Sequence, residues 1–432
     1  MIDYDSLYKI LDSNSNNINI MELVKEDLFK KSVIEKQNML IRSVISNNIY
    51  FTNLLLNNKT EVNFYTANGY TVLHSAVMQS SRTTRLLLNN GADPNVRHEV
   101  HGSPLNRLIS KYKKSKIIKL LLKYKADTNI TDSNGYTALH LAIYYNRNYE
   151  IVKLLLDNGA NINAICKHGT VLHLATCNQN IKITKLLLDY GADPNITDVN
   201  GLSPLYKTAI SNRRDIAKLL LDYGADVNIK CRKGRTALHG AVIWKRSKLV
   251  ITLLRYGADI NSIDKSMKTP LTCIQLNDNR TGKILVSHIV LLQHKLSSII
   301  YNEGFIYNTT AISRHEELLK IKQICNEELL NMKSVRLAAD ITIDMLLTAK
   351  NKNIFIRYID NPIINTCINN AIIYHNDLVN AVRDIQHRDM LINKAILSID
   401  MCLYSTLWNV LPHYIKYSIL ELLTNSELEL IC

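Results

Sequence analysis

A phrase of four residues returns along this chain at steps near 33, and that beat restricts the fold to a row of stacked units. The tetrapeptides are TVLH (Thr71 to His74), SPLN (Ser103 to Asn106), TALH (Thr137 to His140), TVLH (Thr170 to His173), SPLY (Ser203 to Tyr206), TALH (Thr236 to His239) and TPLT (Thr269 to Thr272). Their starts lie 32, 34, 33, 33, 33 and 33 residues apart. A second phrase keeps the same beat about sixteen residues later, from LLLNNGADPN (Leu86 to Asn95) to LLRYGADIN (Leu253 to Asn261). A unit this short buries its apolar face only against its neighbours, so the 432 residues do not count domains.

Each repeated position has a physical use. Thr, or Ser followed by Pro, suits the start of a first short helix, because a hydroxyl caps free amides and Pro is tolerated in a first turn. His at the fourth place has two ring nitrogens with which to bond the backbone of its own hairpin and of its neighbour's. The Leu triplets supply the apolar stripe of a second helix. The glycine after them (Gly91, Gly159, Gly191, Gly224, Gly257) sits where a helix ends in a left-handed residue, a conformation that costs other residues about 1–2 kcal/mol. Lys59 and Lys125 occupy that place in two units, and those helix ends are expected to be softer. Eleven of the 14 glycines stand here or just before the TxLH phrase, which leaves almost none for a phosphate loop or a catalytic elbow. Repeats of this length and wording resemble ankyrin repeats. The resemblance implies an all-α protein: a solenoid of helix-turn-helix units with β-hairpin tips, followed by a helical C-terminal domain.

Along the chain, residues 1–36 are expected to cap the array, with a short helix around Met21 to Lys31. About seven to eight repeats occupy 37–300 and are best marked over 68–264. The first is degenerate, with Met39 to Tyr50 in place of a first helix and no glycine in LLLNNKTEVN; the last, from Lys268, is frayed. No glycine follows Gly304, and apolar residues recur at helical spacing from Leu318 to Leu330 and through Ile341, Met345, Leu346 and Leu347. This predicts a helical region over 301–400, stacked on the array or continuing it in eroded form.

Composition excludes several classes. The chain has no apolar run long enough to span a bilayer and opens MIDYDSLYKI without a secretory leader, so no membrane role and an intracellular setting are expected. Eight scattered cysteines without a CxxC pair read as reduced thiols. Cys166, His168, His173 and Cys177 lie close in sequence, but His173 is the repeat histidine and Cys177 shares its short helix, so no metal is expected. No phosphate-loop lysine, GxSxG or HExxH motif is present; no catalytic residue, enzyme activity or cofactor is expected. The formal charge is +14, and Lys111 to Lys125 holds seven lysines and no acid. Without a nucleic-acid-binding fold, that charge points to an acidic protein partner before nucleic acid.

Residues 401–432 form a separate tail. Leu411 and Pro412 suit a helix start, after which Ile415, Ile419, Leu422 and Leu423 share one face, with Leu420 beside it. On pattern alone this is a terminal amphipathic helix that closes the solenoid. The run L-P, then I, then I-L-x-L-L is similar to the start of an F-box, and ankyrin repeats ending this way resemble the poxvirus ankyrin proteins with a PRANC domain. That resemblance implies a tail that binds the Skp-type linker of a cullin-RING ubiquitin ligase through Leu411, Pro412, Ile415, Ile419, Leu420 and Leu423, while the repeats hold a host target protein. Little length remains after these residues for the third helix of a cellular F-box.

Positions after the TxLH phrase face the partner in such arrays. Here they are Leu141, Tyr144, Tyr145, Leu174, Lys207, Ile243, Trp244 and Lys245; Tyr and Trp are common interface anchors. The expected function is a non-enzymatic viral adaptor acting in host range or suppression of innate immune signalling, in the host cytoplasm or nucleus. The alternative is a binder that masks its target without ligase recruitment.

Overall fold

The computed structural model describes residues 31–432 except 179, 275–277, 296–301, 335, 339–340, 343–344, 349–361, 372–373, 403–419, 421–424, 426–427 and 430–432. The helix expected around Met21 to Lys31 therefore lies outside the described residues, apart from Lys31. The chain divides into two compact units, residues 1–240 with 255–257 and residues 241–254 with 258–432.

The first unit is a two-layer stack. Its helices run in pairs: α1 (Val33–Ile45) and α2 (Ile49–Asn57), α3 (Val72–Gln79) and α4 (Ser81–Asn89), α5 (Pro104–Lys111) and α6 (Ser115–Lys123). They continue as α7 (Ala138–Tyr144) and α8 (Tyr149–Asp157), α9 (Val171–Cys177) and α10 (Ile181–Asp189), α11 (Pro204–Ser211) and α12 (Arg214–Asp222). First helices pack on first helices (α1, α3, α5, α7, α9, α11), while α2, α4 and α6, and then α8, α10 and α12, form the second layer. The degenerate opening repeat is thus a full helix pair. Its first helix starts inside the 1–36 stretch, under a capping box of Ser32 and Glu35.

The repeated phrases act as their chemistry predicts. At α7, Thr137 accepts from the His140 amide and donates its own amide to His140 Nδ1 at 3.3 Å, a reciprocal cap. Because Nδ1 accepts, the proton sits on Nε2, which in His74 donates to the Gly102 carbonyl (3.2 Å) and in His173 to the Leu202 carbonyl (2.9 Å) of the next tip. Ser103 and Ser203 cap α5 and α11, each with Pro at the first helical position. At the end of α4, Gly91 is left-handed (φ 83°), and the amides of Gly91 and Ala92 return to the Leu88 and Leu87 carbonyls. Lys59 and Lys125 take the same conformation, at φ 57° and 64°.

Asparagines join unit to unit. Asn129 donates to the Gly159 carbonyl (3.0 Å) and accepts from the Asn161 amide (2.7 Å); Asn63, Asn95 and Asn195 make the same pair of bonds to the repeats that follow them. Cations close the first helices. Arg147 donates from Nε to the Ile109 carbonyl (2.7 Å) and from Nη2 to that of Ser110 (2.9 Å), and Lys114 reaches the Met78 and Gln79 carbonyls at 2.6 and 3.0 Å. Each places positive charge at the negative end of a helix.

In the second unit, the TPLT phrase forms a short 3-10 turn (Leu271–Cys273) in place of an α-helix. Thr272 stands where the histidine should, and takes the Thr269 amide at 2.8 Å. The helices that follow are α15 (Asn279–Lys295), α16 (Glu303–Arg314), α17 (Glu316–Ser334), α18 (Met345–Thr348), α19 (Pro362–Asn370) and α20 (His375–Cys402); the two before the turn are α13 (Ala237–Ile243), which begins in the first unit, and α14 (Ser247–Arg255). The helical C-terminal region stacks directly on the last hairpin. Asn308 of α16 donates to the Ile260 carbonyl and to Asn261 Oδ1 (3.2 and 2.9 Å), and one turn earlier a Cβ on Gly304 would fall 1.7 Å from the Asn261 carbonyl oxygen, so only glycine allows this approach. Tyr374, wholly buried, donates its amide to Glu328 of α17 and its hydroxyl to the Ser287 carbonyl of α15. One departure from the helical expectation is local: Arg336–Ala338 (β1) and Ile341–Thr342 (β2) pair antiparallel before α18. The β-branched pair Ile341 and Thr342 favours that strand over the expected helix.

Candidate interaction surface

The hairpin tips and first helices of the first unit carry two clusters of aromatic and basic side chains. In one, the Tyr70 ring stacks on His98 with centroids 4.0 Å apart, His101 lies 5.8 Å away in nearly parallel planes, and the Arg107 guanidinium sits 3.8 Å over the Tyr70 ring. His98 is fixed between the Asn68 carbonyl and the amides of Val100 and His101. In the other, two repeats on, buried Tyr136 hydrogen-bonds and stacks with His168, while Tyr144 lies 5.5 Å from Tyr136 and 5.1 Å, edge on, from Tyr145. Burial pushes the Tyr136 phenol well above its ordinary range, so it stays a neutral donor. Lys167 stands beside the Tyr136 ring and Arg147 beside that of Tyr145.

The candidate contact residues separate into three groups. Tyr144 and Tyr145 are 50% and 43% exposed and lie together in the second cluster. Leu141 and Leu174, 4% and 8% exposed, are not presented to a partner. Their helices put that position on the core side, which corrects the reading of them as contacts. Lys207 is half-buried and pairs with Asp198 at 3.0 Å, so its charge is largely engaged within the repeat. In the second unit Ile243 is half-buried, Trp244 is half-exposed, and exposed Lys245 turns the chain at φ 54°.

Sequence reasoning missed Tyr136, His168, Arg107 and Arg147. A signal for the last existed: Arg147, Arg213 and Arg246 fall in one register of the 33-residue step, with Asn180 between the first two. There Asn178 bonds the Ile143 carbonyl, on the repeat before. In the group of Cys166, His168, His173 and Cys177, both ring nitrogens of His173 are engaged, with Thr170 and with Leu202.

Of the tail, Leu411, Pro412, Ile415, Ile419 and Leu423 lie outside the described residues. Leu420, expected as a linker contact, is described; it is helical and 3% exposed. Leu428 is wholly buried, and Asn425 accepts from Arg388 of α20 at 2.7 Å.

Stacked helix pairs with exposed aromatic and basic side chains on their tips define a protein-interaction solenoid. Matches to the family model for ankyrin repeats (3 copies) cover residues 8–98, 105–198 and 172–264, more than half of the chain, and residues 338–432 match the PRANC domain. The fowlpox virus (strain NVSL) ankyrin repeat protein FPV228 is 32% identical over 170 residues, 39% of this chain and 32% of that protein. A second fowlpox ankyrin repeat protein, FPV024, is 30% identical over 169 residues, 39% of this chain and 28% of that one. The chain belongs to the poxvirus ankyrin-repeat proteins that carry a C-terminal PRANC domain. Its matches span about a third of the length of these curated relatives. Both of its domains are interaction modules, and among the described residues no helix is long and apolar enough to cross a membrane.

Proposed function

We propose that the chain is a non-enzymatic adaptor in which repeats within 37–300 hold a host protein and the F-box-like tail recruits a cullin-RING ubiquitin ligase through its Skp-type linker, in the host cytoplasm or nucleus. The observation that carries this reading is the union, in one chain, of an ankyrin array with a PRANC match at residues 338–432. Removal of the target would then serve host range or dampen innate immune signalling. Capture of the linker from transfected cells tests the idea: the parent should bring it down, and Leu411→Ala, Pro412→Ala and Ile415→Asp together should abolish capture while target binding survives. A charge buried at an interface without a counterion costs several kcal/mol.

A second reading is favoured by one observation, the burial of Leu420 and Leu428 in the chain itself. On that reading the tail closes the fold, and the repeats mask their target without a ligase. It predicts no linker capture even by the parent, and a lower melting temperature for the triple variant.

A further inference from the structure

The first helices α3, α5, α7, α9 and α11 contain no Asp or Glu. Two carboxylates of the neighbouring tips are tied to their own turns. Asp132 Oδ1 accepts from the amides of Asn134 and Tyr136 (2.8 and 3.0 Å); Asp198 Oδ1 accepts from those of Asn200 and Leu202, and its other oxygen holds Lys207. Arg107, Lys111 and Lys167, by contrast, have no carboxylate partner among the described residues. Lys111 and Lys167 are exposed, and Arg107 has the Tyr70 ring as its contact, with Nη1 out of solvent and no acceptor among the described residues. A buried guanidinium nitrogen without an acceptor invites an explanation. The two repeats meet side by side, since α5 packs on α7 and the Ser133 amide donates to the Val100 carbonyl of the adjoining tip.

We propose that Arg107, Lys111, Tyr144, Tyr145, Lys167 and His168 form the docking surface for an acidic segment of the target protein that also carries an aromatic side chain. Carboxylates of the segment lie over the cations, and its aromatic ring packs on Tyr144 and Tyr145, which are 50% and 43% exposed. His101 lies in the same surroundings: burial first, then His98, Arg107 and Lys111 hold its imidazole below the ordinary range, with Asp132 opposing them. This surface deepens the adaptor reading by naming the class of target it selects, and it rests on that reading only for the target's role.

The test uses the full chain and a short dye-labelled peptide of Glu, Tyr and Ser, followed by fluorescence anisotropy at low salt, beside a control peptide with Gln for each Glu. Lys111→Glu combined with Lys167→Glu, and separately Tyr144→Ala with Tyr145→Ala, should each weaken binding about tenfold or more, because such contacts carry much of an interface's energy. Because Lys167 also donates to Asn134 and Tyr144 packs on Tyr136, each variant is first shown to keep the parent's far-UV spectrum and a cooperative melt above the assay temperature. Equal binding of the Gln control, or no change in either double variant, overturns the proposal. So does full competition by an oligothymidylate of matched charge, which would mark a general polyanion surface. Linker capture by the tail is scored apart: its failure unseats the adaptor and leaves this surface standing, whereas failure of the peptide assay does the reverse.

Discussion

The phenol ring of Tyr206 fills the space in which a side chain at Gly240 would stand: a Cβ there would lie 3.1 Å from Cζ and 3.3 Å from Cε1 of that ring. Tyr206 occupies the place that other units give to histidine, and Gly240 the place held by Leu141 and Leu174. Two irregularities in adjacent repeats therefore explain each other.

Their coupling is measurable. In a helix interior Ala is about 1 kcal/mol better than Gly. Gly240→Ala should gain about that much when Tyr206 is His, and gain nothing or lose stability beside native Tyr206, where the extra methyl overpacks. Urea unfolding of the two single variants and the double variant checks this; additive effects would refute the pairing.

Arg147 should matter more than its place in a loop suggests. It is 9% exposed and binds two carbonyls at the end of α5. Arg147→Met keeps the aliphatic stem but strands those acceptors, and is expected to lower stability by about 1–3 kcal/mol. Arg147→Lys should recover part of the loss; equal loss in both would assign the effect to packing.

The helix-end lysine gives a prediction of opposite sign at two sites. Gly159 is left-handed at φ 80° with nothing within 4 Å of a Cβ, so Gly159→Val suffers from backbone strain alone, about 1–2 kcal/mol. Lys125→Gly, at φ 64°, relieves such strain and should stabilise. Thermal midpoints that move together would contradict this.

Acid should loosen the array through its histidines. Burial lowers His74 and His140 to about 4 and also lowers His173. Since each Nδ1 accepts an amide proton, the folded state holds these rings neutral. The unfolded chain binds the extra protons between pH 6.5 and 4, so stability is fully present above the ordinary histidine range and falls as pH drops through that window. The slope is about 1.4 kcal/mol per unit for each fully titrating ring. His74→Asn, the solution used at Asn106, should flatten the profile measured by denaturant titration at several pH values.

Much of this was readable in the chain because it is local. A capping threonine, its histidine three residues on and a glycine past a Leu triplet each act within one turn, so a repeating pattern reports them directly. Contacts about thirty residues apart were not readable. The Tyr136–His168 pair joins two units whose phrases differ at both positions, and the two carbonyls that Arg147 holds carry no side-chain signature at all. Leu141 and Leu174 misled for a related reason. Position in the phrase shows that a residue varies, but burial depends on which way a seven-residue helix turns. The tail's pattern is short, and Leu420 illustrates how an amphipathic face reads the same whether its own chain or a partner covers it.

The asparagine joints have a consequence for how such a gene changes. Asn63, Asn95, Asn129 and Asn195 each reach only main-chain atoms of the following repeat, so the joint is indifferent to which repeat follows. A recombination that duplicates or deletes one whole repeat rejoins the flanks with the same bonds, at any of these seams. Gly304 and Asn308, fitted to Asn261 and to the Ile260 carbonyl, are a dedicated joint that tolerates no such exchange. Copy number is therefore free to drift upstream while the downstream boundary stays anchored, and a lineage can acquire new tips without disturbing its C-terminal region.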